Sequence, residues 1–471
     1  TERNVSAFRQ LFGTPHGRYA SAAEKDVSLR APAISSEKGV PFAAYIHKSN
    51  PTSGAYGGTS FAYFPVSDGP CLVSLVVGTQ GLSPDEVLLS RPGHARKVQA
   101  ICSWLNKRFG KGRLVAWAKQ DPVRIDLAVP ETVRKQFAGC DSVFDRYGRV
   151  LYAIFRSAEP AEVETGLAAF LDLLFDERGH MPLKAIQEEA SSIRSGWFEE
   201  LFPRVTGDHV AELLSRRRYV IVQGPPGTGK TRLALQLLKE KYGGHGTSVQ
   251  FHANTTYEQF IGGLAPVHGQ GALGLQFAPR AGFLMDAAAV ALQNPNRPFL
   301  LHIDEINRAD LAKVLGEAVY LLEADDHEPR QIRLPYDFGK PFQSTLFIPN
   351  NLHIIGTMNT SDRSIALVDI AIRRRFTFVR LWPDSEVVRQ FGGAVMRQAY
   401  EDLISLFVEH AGVDVLDLVP GHSYFLEMDD EQARRRLKTT LLPLLEEYLA
   451  QGLMGGFAEP ARAYLQWVKS L

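Results

Sequence analysis

Residues 219–231 read YVIVQGPPGTGKT, a short apolar, β-branched run that breaks into a glycine-rich turn. The next stretch, TRLALQLLKEKY (231–242), has leucines at helical spacing and stops at Gly243 and Gly244. The turn itself, Gly224, Pro225, Pro226, Gly227, Thr228, Gly229, Lys230 and Thr231, fits the G-x-x-x-x-G-K-[ST] pattern. The residue types follow from the task. Glycines let backbone N–H groups converge on phosphate oxygens without Cβ clashes, and the following helix turns its positive end on the same anion. Lys230 brings a point charge to the β and γ phosphates, and the Thr231 hydroxyl can ligate Mg²⁺. A chance glycine-rich turn would not need a strand before it and a helix after it. The reading is a nucleotide-triphosphate site.

Outward from this turn the same alternation repeats. PFLLHID (298–304) precedes LAKVLGEAVYLLE (311–323), and LHIIGTMN (352–359) precedes IALVDIAIRRR (365–375). Fully apolar strands alternating with helices predict a parallel sheet covered on both faces. In FLLHIDEINRA (299–309) the strand ends on adjacent carboxylates. Asp304 is placed to hold the metal's water shell and Glu305 to deprotonate the attacking water. His302, inside that strand, reads as a satisfied buried histidine rather than a ligand. The third strand ends at Asn359, whose amide can reach both the γ-phosphate and the water. IAIRRRFTF (370–378) then sets Arg373, Arg374 and Arg375 at a helix end. Alone, such a triplet is a solvated face or a complement to the helix dipole. After the preceding motifs, Arg374 or Arg375 is expected to reach a neighbouring subunit's γ-phosphate, which implies a ring.

In order, GPPGTGKT, IDEINRA, GEAVYLLE, TMNTSDRS, VDIAIRRRF and GHSYF (421–425) resemble the AAA+ motor of the McrB family, the nucleotide-hydrolysing subunits of McrBC-type modification-dependent restriction systems. The likeness covers roughly residues 200–455. The loop and the carboxylate pair are general to AAA+ proteins, whereas MNTSDRS followed by RRRF is specific to this branch. The resemblance implies GTP in preference to ATP, a hexameric ring, and stimulation by a McrC-like partner carrying a nuclease. It also implies that Asn359, Asp362 and Arg363 form the loop tied to hydrolysis and to that stimulation. The expected organisation is an AAA+ P-loop core over 205–383, a parallel sheet with helices on both faces, followed by a helical lid over 384–471.

The first 185 residues read as a mixed α+β domain. FAAYIHK (42–48), SFAYFPV (60–66) and CLVSLVVGT (71–79) are strand-like, with helices at KVQAICSWLNKRF (97–109) and EVETGLAAFLDLLFDE (162–177). Residues 186–204 are expected to link the two parts through a short helix. YFPVSDGPCLVSLVVGTQGL (63–82) faintly resembles an N-terminal domain found on some McrB-like proteins. No acid occurs from residue 87 to 120, yet Arg96, Lys97, Lys107, Arg108, Lys111 and Arg113 do, interleaved with Trp104 and Trp117. Six basic residues and Trp117 are therefore candidates for gripping a DNA backbone and stacking a base. The bland alternative is an ordinary helix-plus-strand surface with two core tryptophans.

Composition limits the remaining classes. The chain has 471 residues, with 52 Lys+Arg against 52 Asp+Glu, so no global field advertises nucleic acid or membrane. Cys71, Cys102 and Cys140 lack metal-ligand spacing and read as thiols of a reducing cytoplasm. No apolar run reaches membrane-spanning length, and TERNVSAFRQ at the start is too polar for a signal peptide. No nuclease constellation is visible, so cleavage is assigned to a partner. The expected function is a GTP-hydrolysing ring motor with Mg²⁺ that translocates DNA, modified or unmodified, in restriction or antiphage defence. The competing expectation is an AAA+ ATPase that remodels a protein client.

Overall fold

A computed structural model describes residues 2–13, 17–30, 40–51, 54–66, 69–268, 275–323, 329–361 and 369–471. The chain divides into two compact units, residues 1–202 with 405–412, and residues 203–404 with 413–471.

The first unit is built on a six-stranded antiparallel sheet. Its strands are β1 (Val27–Arg30), β2 (Ala43–His47), β3 (Thr59–Phe64), β4 (Leu72–Val77), β5 (Ala116–Ala118) and β6 (Leu151–Phe155), in the order β1-β2-β3-β4-β6-β5. β4 is buried at all six positions, so it carries no polar alternation and reads in the sequence as one apolar run. Helices α1 (Pro92–Phe109) and α2 (Pro160–Asp176) each begin with a proline at the first turn, where its missing N–H costs nothing. Around Phe64, Leu72 and Ile154 a separate core forms with Val133, Phe137 and Phe144. The segment expected to be a linker is instead part of this unit. It forms α3 (Gln187–Leu201), which buries Ala190, Ile193, Trp197 and Leu201. Its polar residues misled the sequence reading, because only one stripe of the helix is apolar.

The second unit carries the expected parallel sheet. After α4 (Gly207–Arg217) come β7 (Tyr219–Gly224), α5 (Lys230–Glu240) and β8 (Gly246–Gln250). A hairpin of β9 (Gly262–His268) and β10 (Leu275–Ala281) leads to α6 (Phe283–Gln293) and β11 (Phe299–Asp304). A second small hairpin, β12 (Gln331–Arg333) with β13 (Thr345–Phe347), precedes β14 (Leu352–Asn359). Then come α7 (Ile370–Arg373) and β15 (Thr377–Arg380). The five parallel strands lie in the order β15-β7-β14-β11-β8. Alternate residues of β11 go to opposite layers. Leu301 and Ile303 join the core with α6, while Leu300 joins Ala234 and Leu237 of α5. Burying each such side chain contributes roughly 1.5–3 kcal/mol, so a one-residue slip of a central strand is strongly disfavoured.

Among the described residues, two stretches expected to be helical break short of their patterns. LAKVLGEAVYLLE breaks after a helix at Leu311–Leu315, because Gly316 takes φ +50° and a 3₁₀ turn follows. Of IALVDIAIRRR, Ile370–Arg373 is helical, begun by the Asp369 carboxylate accepting from the Ala371 N–H. Beyond Pro383 the chain is helical as expected, ending in α8 (Leu442–Ala450) and α9 (Ala458–Ser470). No helix among the described residues is long and apolar enough to cross a membrane.

Candidate nucleotide site

The loop between β7 and α5 is shaped by backbone demands that only glycine meets. Gly227 and Gly229 both take φ +80°. A Cβ on Gly224 would lie 2.1 Å from the Leu381 carbonyl oxygen. The Thr228 hydroxyl donates to the Pro225 carbonyl at 2.9 Å, which closes the turn. Lys230 opens α5 and reaches back across the loop, its Nζ donating to the Gly224 and Pro225 carbonyls at 3.0 and 2.7 Å. It is 7% exposed, and burial pushes its pKa down to about 8 against the opposing pull of Glu305 and Asp304. A desolvated ammonium whose hydrogen-bond partners are two carbonyls suits an incoming polyanion.

The tips of β11 and β14 complete the site. The register between them ends at Ile303 beside Gly356, and one residue further on the Asp304 carboxylate meets the Thr357 hydroxyl. Asp304 Oδ1 accepts from the Thr231 hydroxyl at 2.8 Å and from the Thr357 hydroxyl. Thr231 and Asp304 thus present hard oxygen ligands side by side, and the pair fits Mg²⁺ as direct ligand and water-shell acceptor. Glu305 takes φ +53°, the left-handed region that non-glycine residues rarely enter. That turn swings its carboxylate away from Asp304. Asn359 Nδ2 donates to Glu305 Oε1 at 2.6 Å, while Arg308 Nε lies 3.5 Å from Oε2. Oε2 is buried and has no hydrogen-bond donor, as a water-activating base requires. Asn307, 6% exposed, braces this arrangement through a 3.3 Å bond from Nδ2 to the Asn359 carbonyl. Sequence reasoning missed Asn307, whose signal was its place inside the DEINRA run.

A second missed element is the GHSYF segment, quoted for resemblance but given no role. Gly421 N–H donates to the Pro226 carbonyl at 2.8 Å, and Ser423 N–H to the Gly227 carbonyl at 3.0 Å. Arg436 donates to the Ser423 and Leu426 carbonyls, at 2.9 Å each, and holds the segment in place.

The arginines separate. Arg375 is held by Glu323 at 3.2 Å and donates to the Ala371 carbonyl at 2.8 Å. Arg373 lies over the Phe378 ring, 5.2 Å from its centroid, and is exposed, as is Arg374. Asp362 and Arg363 lie outside the described residues.

The basic stretch of the first unit is less available than its sequence suggests. Lys97 is 8% exposed, clamped between Glu177 at 2.6 Å and Glu409 at 2.7 Å. Arg96 donates to the Val408 and Ala411 carbonyls. Both are therefore taken up by internal partners, a correction to their reading as DNA contacts. Lys107 pairs with Glu200 at 2.7 Å yet stays 65% exposed. Arg108 lies over the Trp104 ring, 5.5 Å from its centroid, and Trp117 is half-buried against the Phe64 core. Lys111 and Arg113 are exposed. Cys102 and Cys140 are buried free thiols, and Cys71 is partly buried. Among the described residues no group of three or more His, Cys, Asp or Glu side chains is arranged to hold a metal.

Comparison with known proteins agrees with this geometry. Residues 219–376 match the AAA domain of the dynein-related subfamily. The chain is 30% identical over 351 residues to the type IV methyl-directed restriction enzyme EcoKMcrB subunit of Escherichia coli K12, covering 68% of this chain and 75% of that protein. It is also 30% identical over 201 residues to the type II restriction enzyme BsuMI component YdiS of Bacillus subtilis 168, covering 35% of this chain and 57% of that protein. With the phosphate loop, the carboxylate pair and the Asn359 strand tip assembled on a parallel AAA sheet, this chain belongs to the McrB-like AAA+ nucleotide hydrolases of restriction systems.

Proposed function

We propose that this chain is the GTP-hydrolysing ring motor of a McrBC-like restriction or antiphage system, working in the cytoplasm with a McrC-like nuclease subunit. The observation that carries the reading is a pair of hydrogen-bonded couples at neighbouring strand tips beside the phosphate loop, Thr231 with Asp304 and Asn359 with Glu305. Lys230 leaves the loop carbonyls for the β and γ phosphates. Thr231 and Asp304 would hold Mg²⁺, which would supply charge neutralisation to the phosphates. Asn359 positions water, and Glu305 takes its proton. Arg374, exposed beside the internally paired Arg375, reaches the γ-phosphate bound by the neighbouring protomer and stabilises transition-state charge. Ring closure, most simply as a hexamer, follows from that requirement. Asp362 and Arg363 would take the partner's stimulating contact.

The first unit selects DNA, modified or unmodified, and the ring translocates it. Lys107, Arg108, Lys111 and Arg113 are the basic residues left to meet a phosphate backbone, with Trp117 as a packing support. The test compares hydrolysis of GTP and ATP with Mg²⁺, with and without modified duplex DNA and the partner subunit. GTP turnover that rises with the partner, and DNA binding whose salt dependence flattens in a Lys111→Ala, Arg113→Ala variant, is expected. ATP turnover indifferent to DNA would overturn the reading and favour a protein-remodelling ATPase.

A further inference from the structure

His302 lies in the row of β11 side chains that faces α5, between Leu300 and Asp304. Its neighbours across the sheet are Ser248 of β8 and Ile355 of β14. The residue is 0% exposed. On one side its Nδ1 is 2.8 Å from the Ser248 hydroxyl. On the other, Nε2 is 3.9 Å from Asp304 Oδ1 and has no hydrogen-bond partner. An apolar residue would fill this position at less cost, since a buried ring nitrogen without a partner is unfavourable. The expectation of a fully satisfied core histidine is therefore half met.

The two ring nitrogens cannot be assigned freely. If Nδ1 carried the hydrogen, it would donate to Ser248 and Nε2 would turn a lone pair towards a carboxylate. If Ser248 donates to Nδ1, Nε2 carries the hydrogen and turns it towards Asp304. The second arrangement suits the carboxylate.

We infer that His302, its tautomer set by Ser248, is a positioning residue that orients the Asp304 carboxylate for Mg²⁺ from beneath the sheet tip. With Thr231 and Thr357 already donating to Oδ1, an N–H on the same side loads that oxygen and leaves Oδ2 directed at the metal's water shell. The inference rests on the nucleotide–Mg²⁺ reading of the site. It adds to the surroundings of Asp304 two residues, Ser248 and His302, that belong to no phosphate-binding motif, His302 acting as an N–H dipole 3.9 Å from Oδ1. Outer donors of this kind change metal affinity by about 10–100-fold when removed.

The test uses the full chain and fluorescent analogues of GTP and ATP, titrated with Mg²⁺ and, separately, in EDTA. His302→Leu should raise the half-saturating Mg²⁺ concentration for nucleotide binding about tenfold. Affinity in EDTA should stay at the wild-type value. His302→Gln, which restores a side-chain N–H, should recover most of the loss, and Ser248→Ala should show part of it. Nitrogen NMR of histidine-labelled protein should find the His302 hydrogen on Nε2. Wild-type Mg²⁺ dependence in His302→Leu, an equal loss of affinity in EDTA, or a hydrogen on Nδ1 would each overturn the inference. Absence of any Mg²⁺ effect in the wild-type protein would instead overturn the site reading on which it stands.

Discussion

Substituting Gly421 by alanine tests whether the GHSYF segment is a working part of the phosphate loop. The new Cβ would lie 2.1 Å from the Gly227 carbonyl carbon, 2.2 Å from its oxygen and 2.4 Å from the Thr228 nitrogen. All three are backbone atoms, so no rotamer change relieves the clash. Carbon atoms rest about 3.5 Å apart, so the two segments must separate by about 1.4 Å. That displacement breaks the bonds from Gly421 N–H to Pro226 and from Ser423 N–H to Gly227. At a net of about 1 kcal/mol each, roughly 2 kcal/mol of loop organisation is lost. If the cradle must be held in that shape to bind phosphates, affinity falls about 30-fold. Titration of a fluorescent triphosphate, read beside circular dichroism melting, measures both quantities. Gly455→Ala is the control, because a Cβ there meets nothing within 4 Å. Nucleotide affinity within threefold of wild type in Gly421→Ala would refute the argument that this segment shapes the loop.

Other perturbations have equally definite outcomes. Glu305→Gln keeps the side-chain volume and the turn, so nucleotide binding and assembly should persist while turnover falls by at least about 100-fold; near wild-type hydrolysis would remove Glu305 as the base. Arg374→Ala should leave the melting temperature unchanged and lower turnover about a thousandfold, with activity partly restored by mixing with Glu305→Gln protomers. Arg375→Ala should lower the melting temperature, since it breaks the Glu323 pair, and mixing should not rescue it. His353 is held neutral, its pKa lowered to about 4 by burial and by Arg218. The unfolded chain takes up that proton near pH 6.5, so between about 6.5 and 4 it binds more protons than the fold. Stability therefore falls as pH falls through this window, by up to about 3 kcal/mol, and levels off below it. His353→Gln should flatten the melting-temperature profile there, and an unaltered profile would show that another group governs acid sensitivity.

The parallel sheet was legible because its central strands are buried on both faces and so announce themselves as unbroken apolar runs. Tyr219–Val222 is of this kind, and Leu300–Ile303 departs from it only at His302. The phosphate loop was legible because each of its glycines answers to a local backbone demand. Features that depend on distant partners were not. The stretch from 87 to 120 looked uniformly basic, but the acids that occupy Lys97 and Lys107 are Glu177, Glu409 and Glu200, far away in sequence. The β9–β10 hairpin was missed because Gly263, Pro266 and Pro279 interrupt its strand pattern. The placement of GHSYF against the phosphate loop depends on a backbone approach that leaves no mark in side-chain periodicity. Loss of the left-handed turn at Gly316 from the helix reading has the same origin: one glycine, without its φ, is ambiguous.

The left-handed backbone at Glu305 sets endurance against activity at a single residue. Holding a side chain there stores roughly 1–3 kcal/mol, which glycine would release. A population of variants sorted only for survival on heating would thus drift towards Glu305→Gly, a hardier molecule without the carboxylate proposed as its base. A glutamate kept at so costly a position is what the proposed role in turnover predicts.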